Sequence, residues 1–176
     1  MDKLTLVLPT IADSQAILEY RDEFISAGET ICGAGDLTRL ADPQAWLATI
    51  KAKSSQDTLP VGLVISTQFI CKRLTDGKIL GTIDVRHSLN DYLLNYGGNI
   101  GYAVAPSQRH QGIAKWMLQS VLTYCREIGL PRVLVTCLAD NVASRKTILA
   151  CGGEYEDSRL EPNKQKLMQR YWIKLA

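Results

Sequence analysis

The segment Tyr102-Ala103-Val104-Ala105-Pro106-Ser107-Gln108-Arg109-His110-Gln111-Gly112-Ile113-Ala114 passes from a strand, through a proline, into a helix. Upstream, Asn99–Ala105 reads as the strand. Downstream, Ile113, Met117, Leu118, Val121, Leu122, Cys125 and Ile128 fall on one helical stripe, closed by Gly129 and Pro131. The turn between them has the chemistry of an anion site. The first turn of a helix leaves backbone N–H groups unpaired, and the helix dipole adds partial positive charge there. Gly112 and Ala114 leave the backbone bare enough for a pyrophosphate to approach, with Arg109 and Lys115 adding charge at the rim. By spacing alone, R-x-x-G-x-A also describes an ordinary strand-to-helix turn. The Gly-Lys-Ser/Thr ending of a nucleotide loop and the G-x-G-x-x-G dinucleotide fingerprint are both absent.

Working outward, Leu4–Leu8 reads as a short strand stopped by Pro9. Asp13 or Ser14 caps a helix that turns Ala16, Ile17, Tyr20 and Phe24 inward and ends near Gly28. Gly28–Thr38, with three glycines, reads as a loop. Asp42 and Pro43 open a second helix running to about Lys53. Val61–Leu74 and Lys78–Ser88 then read as strands around a Thr75-Asp76-Gly77 turn, and a polar, aromatic connection Leu89–Gly98 leads to Asn99–Ala105. If that connection closes a hairpin, Asp84 and Arg86 lie opposite Tyr102 and Ile100. Arg132–Leu138 is a continuous apolar strand, Asn141–Ala150 a helix stopped by Gly152-Gly153, and Glu154–Glu161 with Gln165–Leu175 a terminal strand pair. The order β-α-α-β-β-β-α-β-α-β-β implies one α/β domain over 1–176, a mixed central sheet with helices on both faces.

The 176 residues carry 20 Lys and Arg against 18 Asp and Glu, scattered along the chain, so no basic face for nucleic acid is expected. Apolar runs fall far short of the roughly 20 residues that cross a bilayer, and Met1–Pro9 does not resemble a secretion leader. Five cysteines lack any C-x-x-C pair and there are only two histidines, which argues against a metal site and for a reducing, cytoplasmic setting. Cys137 and Cys151 have no flanking base or activating charge that would make them acyl acceptors.

With its surroundings included, the chain resembles the Gcn5-related N-acetyltransferase (GNAT) superfamily, most tightly across Asn99–Gly153. The family's strand, proline and Q/R-x-x-G-x-G/A turn match Tyr102–Ala114. Its second signature, N-x-x-A/S with glycines eleven residues on, matches Asn141-Val142-Ala143-Ser144 and Gly152-Gly153. The stretch Arg86–Asn90 through Tyr96-Gly97-Gly98 looks like a bacterial subgroup with little assigned function. The resemblance implies acetyl-CoA as co-substrate and acyl transfer to a primary amine on a small molecule or peptide, by direct attack in a ternary complex. It implies that backbone groups near Val104 pair with the pantetheine arm, and that Arg109, His110, Gln111, Gly112, Ile113, Ala114 and Lys115 surround the pyrophosphate. Asn141 and Ser144 would lie alongside, and the strands Asn99–Ala105 and Arg132–Leu138 would splay to admit the thioester. A homodimer is allowed.

Two departures from the family bear on chemistry. The tyrosine acid many members carry seven residues after the helix asparagine is Ile148 here, and a base glutamate some place near the strand start is replaced by Gly98 and Asn99. Candidates for acid and base work are then Asp84, His87, Asp91, Tyr92, Tyr96 and Tyr102. His87, whose ordinary pKa of about 6.5 suits neutral pH, leads as base. Asp84 is a base, a contact for a cationic substrate or a partner for Arg86, and Tyr102 is a further candidate catalytic residue. Loss of both familiar positions keeps a second reading open, a non-catalytic acyl-CoA-binding module.

Overall fold

The computed structural model describes residues 3–40 and 42–175. Met1 and Asp2, at the head of the stretch read above as no leader, and Ala41 and Ala176, at the margins of the expected 1–176 domain, lie outside the described residues.

Strand β1 (Leu4–Val7) stops short of Pro9. Helix α1 (Ser14–Ser26) buries Ile17, Tyr20 and Phe24. Helix α2 (Pro43–Lys53) starts where Asp42 accepts the Gln44 N–H at 2.9 Å. The hairpin β2 (Ser66–Arg73) and β3 (Ile79–Arg86) turns through Gly77 at φ 73°. Then follow β4 (Ile100–Val104), α3 (Ile113–Glu127), β5 (Arg132–Leu138), α4 (Val142–Ala150), β6 (Gly153–Glu161) and β7 (Lys166–Lys174). The element order is the expected one. Six of the seven residues of the α3 stripe are buried, and each such side chain contributes about 1.5–3 kcal/mol relative to exposure.

The sheet order is β1-β2-β3-β4-β5-β7-β6. Only β4 and β5 run parallel, because α3 carries the chain back across the sheet between them. One core packs α3 and α4 against one face, around Ile83, Val85, Met117, Val135 and Ile148; the other packs α1 and α2 against the opposite face, around Ile17, Phe24, Trp46 and Ile70.

Three expectations are corrected. The strands drawn as Val61–Leu74 and Lys78–Ser88 are shorter, since Val61 is fully exposed and the chain around it turns rather than extends. The Leu89–Gly98 connection contains a π-helical turn, Leu93–Gly97. The β3–β4 register is one residue from the expected one: Asp84 faces Gly101, and Tyr102 faces Ile83. Arg86 causes the shift, because its N–H donates to Asn99 O at 2.7 Å while its guanidinium binds Gly97 O and Gly98 O, each at 3.0 Å. A one-residue slip moves side chains to the other face of a sheet. Asp84 therefore lies on the α1/α2 side and Tyr102 on the α3/α4 side.

Candidate active site

Strands β4 and β5 share a single register pair, Ile100 with Val135, and then part. Asn99 pins the fork. Its N–H donates to Leu134 O at 2.7 Å, its Oδ1 accepts the Leu134 N–H at 2.8 Å, and its Nδ2 donates to Arg86 O at 3.0 Å. Gly98 beside it has φ 68°, and a Cβ there would stand 2.6 Å from Leu134 O, so only glycine fits. Sequence reasoning saw at these two positions only a missing glutamate. The structure makes them the hinge of the fork.

The Arg86–Asn99 and Ala105–Leu80 hydrogen bonds aim those β4 residues at β3. Strand alternation then turns the backbone groups of Tyr102 and Val104 toward the gap, where β5 has moved away. At the end of the gap is the turn leading into α3. His110 (φ 62°) and Gly112 (φ 78°) both adopt left-handed conformations, which a non-glycine residue holds at a cost of about 1–2 kcal/mol. Such turns curl successive N–H groups around one concavity and bind anions. The donors suit a pyrophosphate, and the open strand edge suits an amide-bearing chain such as pantetheine.

Arg109 does not point into this concavity. Its guanidinium pairs with Glu29 at 3.1 and 2.5 Å, its Nε donates to Val104 O at 3.3 Å, and it lies 5.8 Å from the Phe24 ring centroid. The expected rim cation is a strut between the fork and the Gly28–Thr38 loop. That loop closes over the sheet: Gly33, at φ +69°, has its Cβ position 2.1 Å from Gly101 O, and Gly33 O accepts Gln68 Nε2 at 2.9 Å.

Asn141 caps α4, accepting the Ser144 N–H at 3.0 Å. Tyr102 crosses to the same helix, its hydroxyl 2.8 Å from Ser144 Oγ. Burial pushes the Tyr102 phenol up to about 12, against the lowering effect of the Ser144 hydrogen bond, so it stays protonated as a hydrogen-bond donor. Ile148, at the family's tyrosine position, is wholly buried in the core.

The structure does not bring Asp84, His87 and Tyr102 together. His87 sits with Thr67 Oγ1 at 2.9 Å and Tyr124 Oη at 3.3 Å, near the C-terminal half of α3, and burial lowers its pKa against the raising effect of Asp84. The Tyr92 and Tyr96 rings meet at a 55° tilt with centroids 5.6 Å apart at the π-helical turn, where Asn95 Nδ2 also donates to Asp91 O.

Asp84 is 6% exposed, with Arg86 Nε 3.4 Å from Oδ2, and its Oδ1 is buried without a hydrogen-bond partner. Burial pushes its carboxyl above the ordinary value, with the Arg86 and Lys53 charges and a Ser66 hydrogen bond pulling it down. A raised carboxyl pKa means the folded form holds the proton more tightly than the unfolded form. This group's stabilisation is therefore present at low pH and lost as pH rises through the folded value. Asp84→Asn should raise the melting temperature relative to wild type at about pH 8 and lose that advantage near pH 4. An advantage independent of pH would show that the carboxyl is not the destabilising group.

Among the described residues no cluster of His, Cys, Asp and Glu could hold a metal, and no helix is long and apolar enough to cross a membrane. A search of the curated proteins finds no match to the sequence. Several solved structures share the fold. The ribosomal-protein-S5-alanine acetyltransferase of Vibrio fischeri superposes with a TM-score of 0.74 at 15% identity, covering 99% of this chain and 94% of its own. RimJ of Mycobacterium smegmatis, in complex with CoA-disulfide, gives 0.73 at 20% identity, covering 97% and 81%. The acetyltransferase yncA of Salmonella typhimurium, with acetyl-CoA, gives 0.66 at 14%, covering 98% and 94%. The model of the acetyltransferase (GNAT) domain matches residues 3–154, spanning the fork, the turn and α4 together, and the chain belongs to that family of acetyltransferases.

Proposed function

We propose that this protein transfers the acetyl group of acetyl-CoA to a primary amine on a small molecule or peptide, by direct attack in a ternary complex. The observation that carries the reading is the fork, an open β4 edge at Tyr102 and Val104 that ends on the anion-binding turn at His110–Gly112. Structural neighbours bearing acetyl-CoA or coenzyme A support the choice of donor. Neighbours named for spermidine and for a ribosomal protein support an amine acceptor of either size. A reducing cytoplasm suits the five free cysteines.

In this reading the 109–115 backbone holds the pyrophosphate, Lys115 adds charge at its rim, and Val104 pairs with the pantetheine once Arg109 Nε releases its carbonyl. Asn141 fixes the start of α4, where Ser144 orients the Tyr102 hydroxyl. The Tyr102 phenol, near 12, lies well above a thiol at about 8.5. It therefore hydrogen-bonds the departing sulfur rather than surrendering a proton to it, and the thiolate takes the proton that the newly acylated nitrogen releases. The attacking amine must be neutral, and Asp84, across from Gly101 on the α1/α2 side, takes its proton through water. We assign His87 no chemical role.

Tyr102→Phe should lower kcat about 10- to 100-fold while leaving KM for acetyl-CoA within about threefold. The general test is thiol release from acetyl-CoA over a panel of polyamines, aminoglycosides, amino acids and peptides, beside calorimetry with coenzyme A. Binding without turnover across the panel would replace this reading with the non-catalytic acyl-CoA-binding module.

A further inference from the structure

We propose that the N-terminal half of β2 is a docking slot for an extended, apolar peptide segment bearing a carboxylate, separate from the fork between β4 and β5. Strand β1 pairs only with Ile70–Arg73, whereas β3 pairs with β2 from Ser66 onward. Ser66–Phe69 are therefore bonded on one side only among the described residues. Pro9 ends β1, and the chain is held turned away: Asp13 Oδ2 accepts Thr10 N–H and Oγ1 at 2.8 and 3.0 Å, while Lys72 grips Asp13 Oδ1 at 2.6 Å. The His87 N–H bond to Ile65 O points that residue at β3. Alternation then aims the backbone N–H and C=O groups of Ser66 and Gln68 outward.

A cavity of about 520 Å³ runs along this edge. Leu47 and Ile50 of α2 form one wall, Phe69 and Tyr124 the other, and Leu8 and Ile11, 56% and 58% exposed, close one end. The second wall is rigid, with the Phe69 and Tyr124 rings edge-to-face at 5.1 Å and Tyr124 Oη 2.8 Å from Thr67 Oγ1. Lys51 is the only formally charged residue in the lining, and no carboxylate opposes it there.

These features select the occupant. Strand-edge donors and acceptors need backbone-like partners, which an acyl chain lacks and an added strand supplies. A second copy of this sheet is disfavoured, because the edge is recessed between helix and ring walls and a two-fold pairing would bring Lys51 toward Lys51. A single strand of about four residues, roughly 13 Å long, matches the unpaired edge, where Ser66 and Gln68 line the floor of the cavity at 4% and 3% exposure. Its apolar side chains meet the walls and its carboxylate meets Lys51.

The probe is the N-acetylated hexapeptide Val-Thr-Ile-Thr-Val-Glu, which has no amine to be acetylated. Titrated into the ¹⁵N-labelled full chain, it should shift the Ser66 and Gln68 amides saturably and leave coenzyme A binding unchanged. Lys51→Glu should weaken it at least about tenfold and favour the same peptide ending in lysine. N-methylation at alternate peptide nitrogens should abolish binding. Failure of saturable shifts at Ser66 and Gln68, or equal binding of the N-methylated peptide, would overturn the proposal. So would tighter competition by decanoate, pointing to a lipid, or a dimer in gel filtration that Ile50→Arg dissolves. Loss of turnover with this site intact would count against the proposed acetyl transfer alone.

Discussion

Gly112→Asp is expected to weaken coenzyme A binding by at least about 100-fold, equivalent to about 2.7 kcal/mol. Two costs combine. Gly112 holds φ 78° at the start of α3, where a side chain adds about 1–2 kcal/mol of strain. The new carboxylate also stands in the anion concavity, where like charges about 4 Å apart at an effective dielectric of 20 repel by about 4 kcal/mol. Gly112→Ala carries only the first cost and serves as the control. Calorimetry with coenzyme A decides the matter: unchanged affinity for the aspartate variant would move the pyrophosphate elsewhere. Arg109→Glu tests something different, because Arg109 is engaged by Glu29 and Val104 O. It sets two carboxylates against each other at the Gly28–Thr38 loop, so its first effect falls on that loop.

Asn99→Leu is expected to destabilise the fold by about 2–5 kcal/mol. The leucine leaves the buried Leu134 N–H and the Arg86 C=O without their side-chain partners, and each orphaned group costs about 1–3 kcal/mol. For a chain of this size that lowers the melting temperature by roughly 5–15 °C. Asn99→Asp keeps the acceptor for Leu134 and loses the donor to Arg86, so it should fall between wild type and the leucine variant. A leucine variant melting within about a degree of wild type would mean that backbone bonding alone, the Ile100–Val135 pairing and the residue-99 N–H to Leu134 O, holds the fork.

Legibility along the chain followed the range of the interactions involved. Asp42 and Pro43 opened α2 where expected, because capping is settled within a few residues. The α3 stripe was legible for a similar reason: a period of 3.6 survives whatever the helix packs on. The β3–β4 register was not legible. It depends on Arg86 reaching Gly97 O and Gly98 O across a π-helical turn, and strand alternation is equally satisfied by either register. That one residue separates Asp84 from Tyr102 by the thickness of the sheet. It splits the acid–base group the sequence had suggested between the two faces of the sheet, and His87, held by Thr67 and Tyr124, leaves it.

By itself the sequence determined the order of elements, the helix ends, and the glycine-bearing turn that opens α3, since capping, glycine conformation and hydrophobic period are local properties of the chain. Tertiary structure alone decided the rest. Asn99 pins the fork from a position 35 residues before Leu134, and Arg109 turns away from the concavity before α3 to Glu29, 80 residues away. Hydrogen-bond partners at such separations are set by how the sheet twists and the loops close over it, and no local pattern encodes them.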